Sequence, residues 1–182
     1  MADEQDQNTP QPETPAGNGD GAGGQPNTQP QAGLIAQYIK DLSFENPNAP
    51  ASIQNFSQER PEIGINVNVA AQRIAEEGYE VELKIEATAK RQDQAFFVIE
   101  ISYAGLFGIR NLPEERLEAF LLVDAPTLLF PFARRIMADA ARDGGFPPLL
   151  LDPVDFAALY RQNKAQQQAA GAGASSTIVG HA

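Results

Sequence analysis

Cysteine and tryptophan are absent from the 182 residues, and histidine occurs once, at His181, next to the end of the chain. Without cysteine there is neither a disulfide framework nor thiol chemistry. A single histidine in a terminal segment has nothing to hold it in a triad, and with no second one a zinc site has too few ligands. No Gly-Lys-Ser or Gly-Lys-Thr phosphate loop occurs. Positive charge is also scarce: 13 Lys and Arg against 24 Asp and Glu leave a net charge of -11. Such a chain has no basic patch to displace counterions from phosphates, which argues against nucleic acid and equally against an anionic membrane surface. No apolar run approaches the roughly 20 residues of a spanning helix, and the first residues lack the basic-then-apolar pattern of a signal peptide. The expected location is the cytoplasm.

Residues 1–33 contain no Lys or Arg, and Gly, Pro, Gln and Asn dominate them. Such a segment cannot bury enough surface to offset its ordering entropy, so a disordered N-terminal tail is expected there. Its Gly19-x-Gly21-x-x-Gly24 has no strand before it and no helix after it, so it carries no dinucleotide signal. Asn55-Phe56-Ser57 matches a glycosylation sequon that, without a secretion signal, is read as coincidence. Residues 165–182 are small and uncharged, which suggests a flexible C-terminal tail. One domain is expected over 34–164.

Within that body, segments with period-two alternation predict strands. Leu34, Ala36, Tyr38, Leu42 and Phe44 share a parity opposite Asp41, Ser43 and Glu45. Ile63 to Val69, Tyr79 to Ala87 and Phe97 to Tyr103 alternate in the same way. The run Asn46-Pro-Asn-Ala-Pro50 ends the first strand, because each proline removes a donor and restricts the residue before it. Clean alternation predicts an antiparallel sheet with one buried face and one wet face. The wet parity collects Asp41, Glu45, Glu80, Glu82, Glu86 and Glu100, with Lys84 the clear base. The second half reads as helix. Pro113 with Glu114 and Glu115 suits a first turn. Asp124 is expected to cap a helix whose apolar stripe is Leu128, Leu129, Phe132, Ile136 and Ala140, kinked or restarted at Pro131 and ended by Gly144 and Gly145. Asp152 and Pro153 predict the start of a last helix, with Leu151 and Phe156 as its staple. The fold class is therefore α+β: a four-stranded antiparallel sheet with an exposed acidic face and helices on the other side.

No catalytic set emerges from these residues. Glu80 and Glu82 could be imagined as acid and base, but nothing beside them would drive their pKa values apart, and a solvated acidic face is the simpler reading. Surplus apolar residues, including Phe96 and Val98 on the wet parity, point instead to binding of other chains. Ile99, Ile101 and Tyr103, with Leu128 and Ile136, are expected at an oligomer interface.

The stretches "KDLSFENPNAP" (40–50), "AGLFGI" (104–109), "APTLLFPFAR" (125–134) and "GGFPPLLLDPVDFAALY" (144–160) closely resemble the SecB family of bacterial protein-export chaperones, in order and at nearly the family's spacing. The resemblance implies a cofactor-free, ATP-independent holdase, a dimer of dimers, that keeps precursors unfolded in the cytoplasm and delivers them to the translocation ATPase SecA. It assigns Asp41, Glu45, Val98 and Glu100 to the sheet face that receives SecA's short, basic, zinc-carrying C-terminal segment. It assigns Phe132 and Tyr160 to the client groove, with Phe56 in place of the family's crossover tryptophan. The family's Gln-Gln-Gly-Gly-like turn reads Ser102 to Gly105 here. A SecB-like chaperone for another client, such as an antitoxin, would share these fold motifs. A carrier of a small apolar ligand is the other alternative, although it has no use for acids at 41, 45 and 100 together.

Overall fold

The computed structural model describes residues 29–59 and 61–173, so residues 1–28 of the tail expected over 1–33, and 174–182 of the one expected over 165–182, lie outside the described residues. Strand β1 (Gln31–Glu45) is followed by helix α1 (Ala51–Glu59), then β2 (Glu62–Arg73), β3 (Gly78–Arg91) and β4 (Gln94–Arg110). Helices α2 (Glu114–Ala119), α3 (Ala125–Asp143) and α4 (Phe156–Gly173) complete the chain, with a π-helical turn, Phe120–Asp124, joining α2 to α3. All neighbouring strands are antiparallel, in the order β1-β4-β3-β2. Strands β2 to β4 form a meander, and the prolines after Glu45 let the chain cross from one sheet edge to the other through α1. That short helix, like the cap positions below, carries no clear periodic signal.

The odd-numbered residues of β3 and β4 form the core. Val81, Leu83, Ile85 and Ala87 lie beside Phe97, Ile99, Ile101 and Tyr103, all buried under Leu129, Ala133 and Met137 of α3. Each such aliphatic side chain contributes about 1.5–3 kcal/mol of burial. Ile99 and Ile101, expected at an oligomer interface, are 0% and 2% exposed within this one chain, and Tyr103 is buried too. They are core residues, because α3 lies directly over them.

The buried stripe of α3 differs from the expected one by a rotation of the helix. Ala125, Pro126, Leu129, Phe130, Ala133, Met137 and Ala141 face inward, whereas Leu128 and Phe132 are 51% and 42% exposed. Asp124 does not cap: its backbone is helical and its side chain makes no cap bond, so the helix runs on from α2 through the π turn. The extra residue of that turn precedes Pro126, which has no N–H to give. Pro131 sits within α3 without ending it. Gly144 and Gly145 do end it, with Gly145 at φ 88°.

Three boundaries also move. β1 begins at Gln31, inside the expected tail. The start of α4 falls at Phe156, because Asp155 accepts the Ala158 amide at 2.8 Å and is the cap in place of Asp152. Leu151 and Phe156 are both buried, while Val154 and Leu159 flank the actual cap. Helix α4 then continues to Gly173 through the Ala- and Gln-rich stretch expected as loose tail, residues of good helix propensity. No described helix is long and apolar enough to cross a membrane.

Gly144 tests how closely α3 is seated on β1. A Cβ at Gly144 would lie 2.1 Å from the Phe44 ring, whereas one at Gly33 meets nothing within 4 Å. Gly144→Ala is expected to lower stability by about 1–3 kcal/mol through overpacking, with Gly33→Ala near neutral. Urea unfolding midpoints of the two variants check this.

Candidate functional site

The face of the sheet turned away from α3 is built by the even-numbered residues of β3 and β4. Register fixes its rows. Asp41 lies opposite Ser102, which is opposite Lys84, which is opposite Asn68. In the next row Ser43, Glu100, Glu86 and Asn66 align, and in the one after Glu45, Val98 and Thr88. Asp41, Glu45, Val98 and Glu100 therefore share one face over three consecutive rows. A depression of about 540 Å3 there is lined by Asp41, Glu82, Glu86 and Glu100, with Lys40 and Lys84 as its bases. Glu86 and Glu100 stand directly opposite one another, an arrangement that like charges disfavour unless a cation arrives.

Glu80 and Glu82, further along that face, are already spoken for. Two bulges interrupt β1, at Ile35 and at Lys40, so its parity switches twice. Leu34, Leu42 and Phe44 point toward α3, while Tyr38, paired with Ala104, points to the outer face. The expected single parity is thus broken by an extra residue at each bulge. Lys40 Nζ lies 3.0 Å from Glu80 Oε2 and 2.8 Å from Glu82 Oε2. Tyr38 and Gln72 also donate to Glu80, and Ser102 donates to Glu82. Lys84 adds a longer contact to Glu82 at 3.4 Å. The Lys40 ammonium, then the Ser102 hydroxyl, hold the Glu82 carboxyl down at about 2 from its ordinary 4.5. The Tyr38 hydroxyl, with Lys40, lowers that of Glu80. Lys40 is raised in return, chiefly by its bond to Glu82.

The stretch Ser102 to Gly105, expected as a turn, is mid-strand in β4. Its small residues serve opposite faces. A Cβ at Gly105 would sit 2.8 Å from Leu129, so its absence lets α3 approach. Ala104, fully buried, leaves room for Lys40 and Tyr38 to reach across it to β3. Phe96, which the alternation places on the wet face, is an extra residue between the pairs Ala89–Phe97 and Lys90–Ala95. It turns inward and meets Phe56 edge-on at 5.8 Å.

Phe56, Phe132 and Tyr160 are not brought together. Phe56 belongs to an aromatic cluster with Phe96, Phe97 and Phe146 beneath α1. Phe132 stacks on Tyr103 at 6.5 Å on the outward side of α3, where the strand partners of Tyr103 and Ile101, Ile39 and Leu42, are exposed too. Tyr160 lines a cleft between α4 and β2 with Val67, Val69 and Leu122, and Lys164 lies over its ring. A separate apolar groove of about 550 Å3 runs between α3 and the segment before α4, lined by Phe130, Pro131, Leu149, Leu150 and Phe156 among others. Leu150 is 74% exposed. Sequence reasoning missed this groove because "PPLLLDP" has no helix or strand period to assign its faces. The volume between sheet and α3, where a small-ligand carrier would need its cavity, is filled by Leu129, Ala133 and Met137.

The family described as "Preprotein translocase subunit SecB" matches residues 25–167. A protein-export protein SecB of Rhizorhabdus wittichii is 57% identical over 140 residues, covering 77% of this chain and 83% of its own length. One from Bradyrhizobium diazoefficiens is 51% identical over 154 residues, covering 85% and 95%. Among solved structures, a SecB-like chaperone of Mycobacterium tuberculosis, in complex with an antitoxin peptide, superposes with a TM-score of 0.58. It shares 18% identity, with 68% of this chain and 90% of that one covered, so it speaks for the fold alone.

The bonds to Glu82 set an acid dependence. Because its folded pKa is depressed from 4.5 to about 2, they stabilise the fold fully above 4.5 and are lost as pH falls toward 2. Glu82→Gln is expected to be less stable than the wild type at neutral pH, the gap closing across that window. Denaturant midpoints measured down the acid limb check it.

Proposed function

The chain belongs to the SecB family and is a protein-export chaperone, and from that premise we propose that it works in the cytoplasm as a homotetramer whose two kinds of surface serve two partners. The outer sheet face docks SecA through Asp41, Glu45, Val98 and Glu100. Unfolded precursors lie on the apolar surfaces, without nucleotide or cofactor. The observation that carries the docking reading is the register itself: four residues from two strands fall on one exposed face within three rows, while Glu80 and Glu82 beside them are bridged by Lys40. Several unpaired acids converging on a basic segment steer its approach and fix its register. Val98, between them, offers an apolar contact.

Client holding rests on apolar surface away from that face: exposed Phe132, half-buried Tyr160 and the Leu150 groove. Phe56 contributes from beneath α1, where it is half-buried. Extended segments add backbone hydrogen bonds that carry no sequence preference. Assembly uses the second apolar stripe of α3. Leu128 is exposed and Ile136 half-buried, and with Ile39 and Leu42 at the β1 edge they exceed what one chain covers.

Charge reversal at Asp41 or Glu100 is expected to weaken SecA binding about tenfold, in a salt-dependent way, with the mass of the assembly and client holding retained. Calorimetry with SecA, native mass measurement and a refolding-delay assay separate these outcomes; normal SecA binding by both variants would refute the docking assignment. For clients, Phe132→Ala combined with Tyr160→Ala should release a slow-folding protein sooner, at a rate little changed by raised salt. A double variant that delays refolding as long as the wild type would move the client surface elsewhere, the Leu150 groove first.

A further inference from the structure

The β1 edge has a register problem that its apolar residues do not solve. From Leu42 to Glu45 the strand is fixed, because Phe44 is held against Phe97 and Phe146 under Gly144. Toward its start, Leu34, Ile35 and Ile39 are all exposed in the single chain, on both faces, so burial within the chain, before any assembly covers them, distinguishes poorly between alternative pairings. A strand in this state slips easily, and a slip of one residue sends every side chain to the other face. The bulge at Lys40 is what allows Tyr38 and Asp41 to be outward together. Without that extra residue, pairing Tyr38 with Ala104 would put Asp41 opposite Ile101, facing α3.

Side chains that cross the sheet hold the bulge in place. Tyr38 and Lys40 reach over Ala104 on β4 to Glu80 and Glu82 on β3, which is not a neighbour of β1. Gln72 of β2 and Ser102 of β4 supply further donors, so all four strands enter one network. Glu80 is 8% exposed, and leaving its carboxylate without these donors would be costly.

We propose that Tyr38, Lys40, Glu80 and Glu82 form a register lock for the edge strand, and that they are positioning residues for the docking surface: they keep Asp41 outward, at the rim of a depression that Lys40 and Glu82 also line. The consequence at SecA rests on the docking reading above, whereas the lock itself concerns only this chain. It makes a prediction opposite in sign to simple electrostatics. Lys40→Met makes the outer face more negative, so charge alone predicts tighter binding of a basic segment. The lock predicts weaker binding.

The test uses the full chain with Lys40→Met, Lys40→Arg and the charge-neutral Tyr38→Phe, alongside Asp41→Lys. Amide hydrogen exchange over residues 38–42 reads how firmly the strand is held in its pairing, and calorimetry reads SecA affinity. Lys40→Met and Tyr38→Phe are expected to speed exchange at those amides and to weaken SecA binding about threefold or more, while client holding is unchanged. Lys40→Arg, still able to bridge two carboxylates, is expected to restore both. Unchanged exchange in Lys40→Met and Tyr38→Phe overturns the lock, and faster exchange with equal or tighter SecA binding overturns its positioning role. If Asp41→Lys binds SecA normally, the docking reading has failed instead, and exchange over residues 38–42 still decides the lock.

Discussion

Leu129, Ala133 and Met137 of α3 seal the inner faces of β3 and β4, and this one helix is the main cover of the sheet, with Phe56 and Phe146 added over Phe97 and Phe120 over Phe107. A sheet of four strands is wider than one helix. The central pair is therefore dry, and the edges are left uncovered on the same side: Ile63 and Ile65 on β2, Leu34, Ile39 and Leu42 on β1. Among the described residues no element covers the opposite face, so it has to be polar or internally bonded. Both kinds of surface follow from the same shortage of covering helix. Apolar remainders on the inner side suit other chains, and the outer face is left for charge.

That geometry also explains what could be read from the sequence. β2, β3 and the middle of β4 were legible because one-sided burial writes itself as period two, and the pairing of β1 with β4 follows from the shared acidic face. The bulges at Ile35, Lys40 and Phe96 were not legible, since each inserts one residue and silently exchanges the faces on one side of it. Lys40 was the costly omission, because only the bulge brings its ammonium beside Glu80 and Glu82. In α3 the apolar residues are too many for one stripe. Leu128 and Phe132 on one side and Leu129 with Ala133 on the other satisfy helical spacing equally, and the sequence does not say which side meets the sheet. Asp152 and Asp155 competed for one cap, and only the backbone shows that Asp155 bonds Ala158.

For the candidate surfaces the division is similar. Parity put the four outer-face residues on one wet face, since three of them sit after the last bulge of β1 or on the regular part of β4 and Asp41 adjoins that bulge, but only the family resemblance singled them out from the other acids there. The aromatic set could not be grouped, because Phe56, Phe132 and Tyr160 stand on three helices whose relative placement no periodicity encodes. Leu149 and Leu150 were invisible for a further reason: an irregular segment between prolines presents its side chains by local geometry.

A strand sends alternate residues to opposite faces, so β1 contributes to both surfaces at once: Asp41, Ser43 and Glu45 outward, Leu42 and Phe44 inward. The sheet between them is one backbone thick, yet the two faces respond to different conditions. Attraction on the outer face is screened by salt within about 8–10 Å, whereas apolar contact on the inner side is strengthened or left alone by the same salt. Any slip of β1 would mix them, bringing carboxylates under α3 and apolar side chains into water. Keeping the two surfaces distinct therefore depends on the register of a single edge strand. Phe44 anchors one end of it in the core, and the bonds that cross Ala104 hold the bulge at the other.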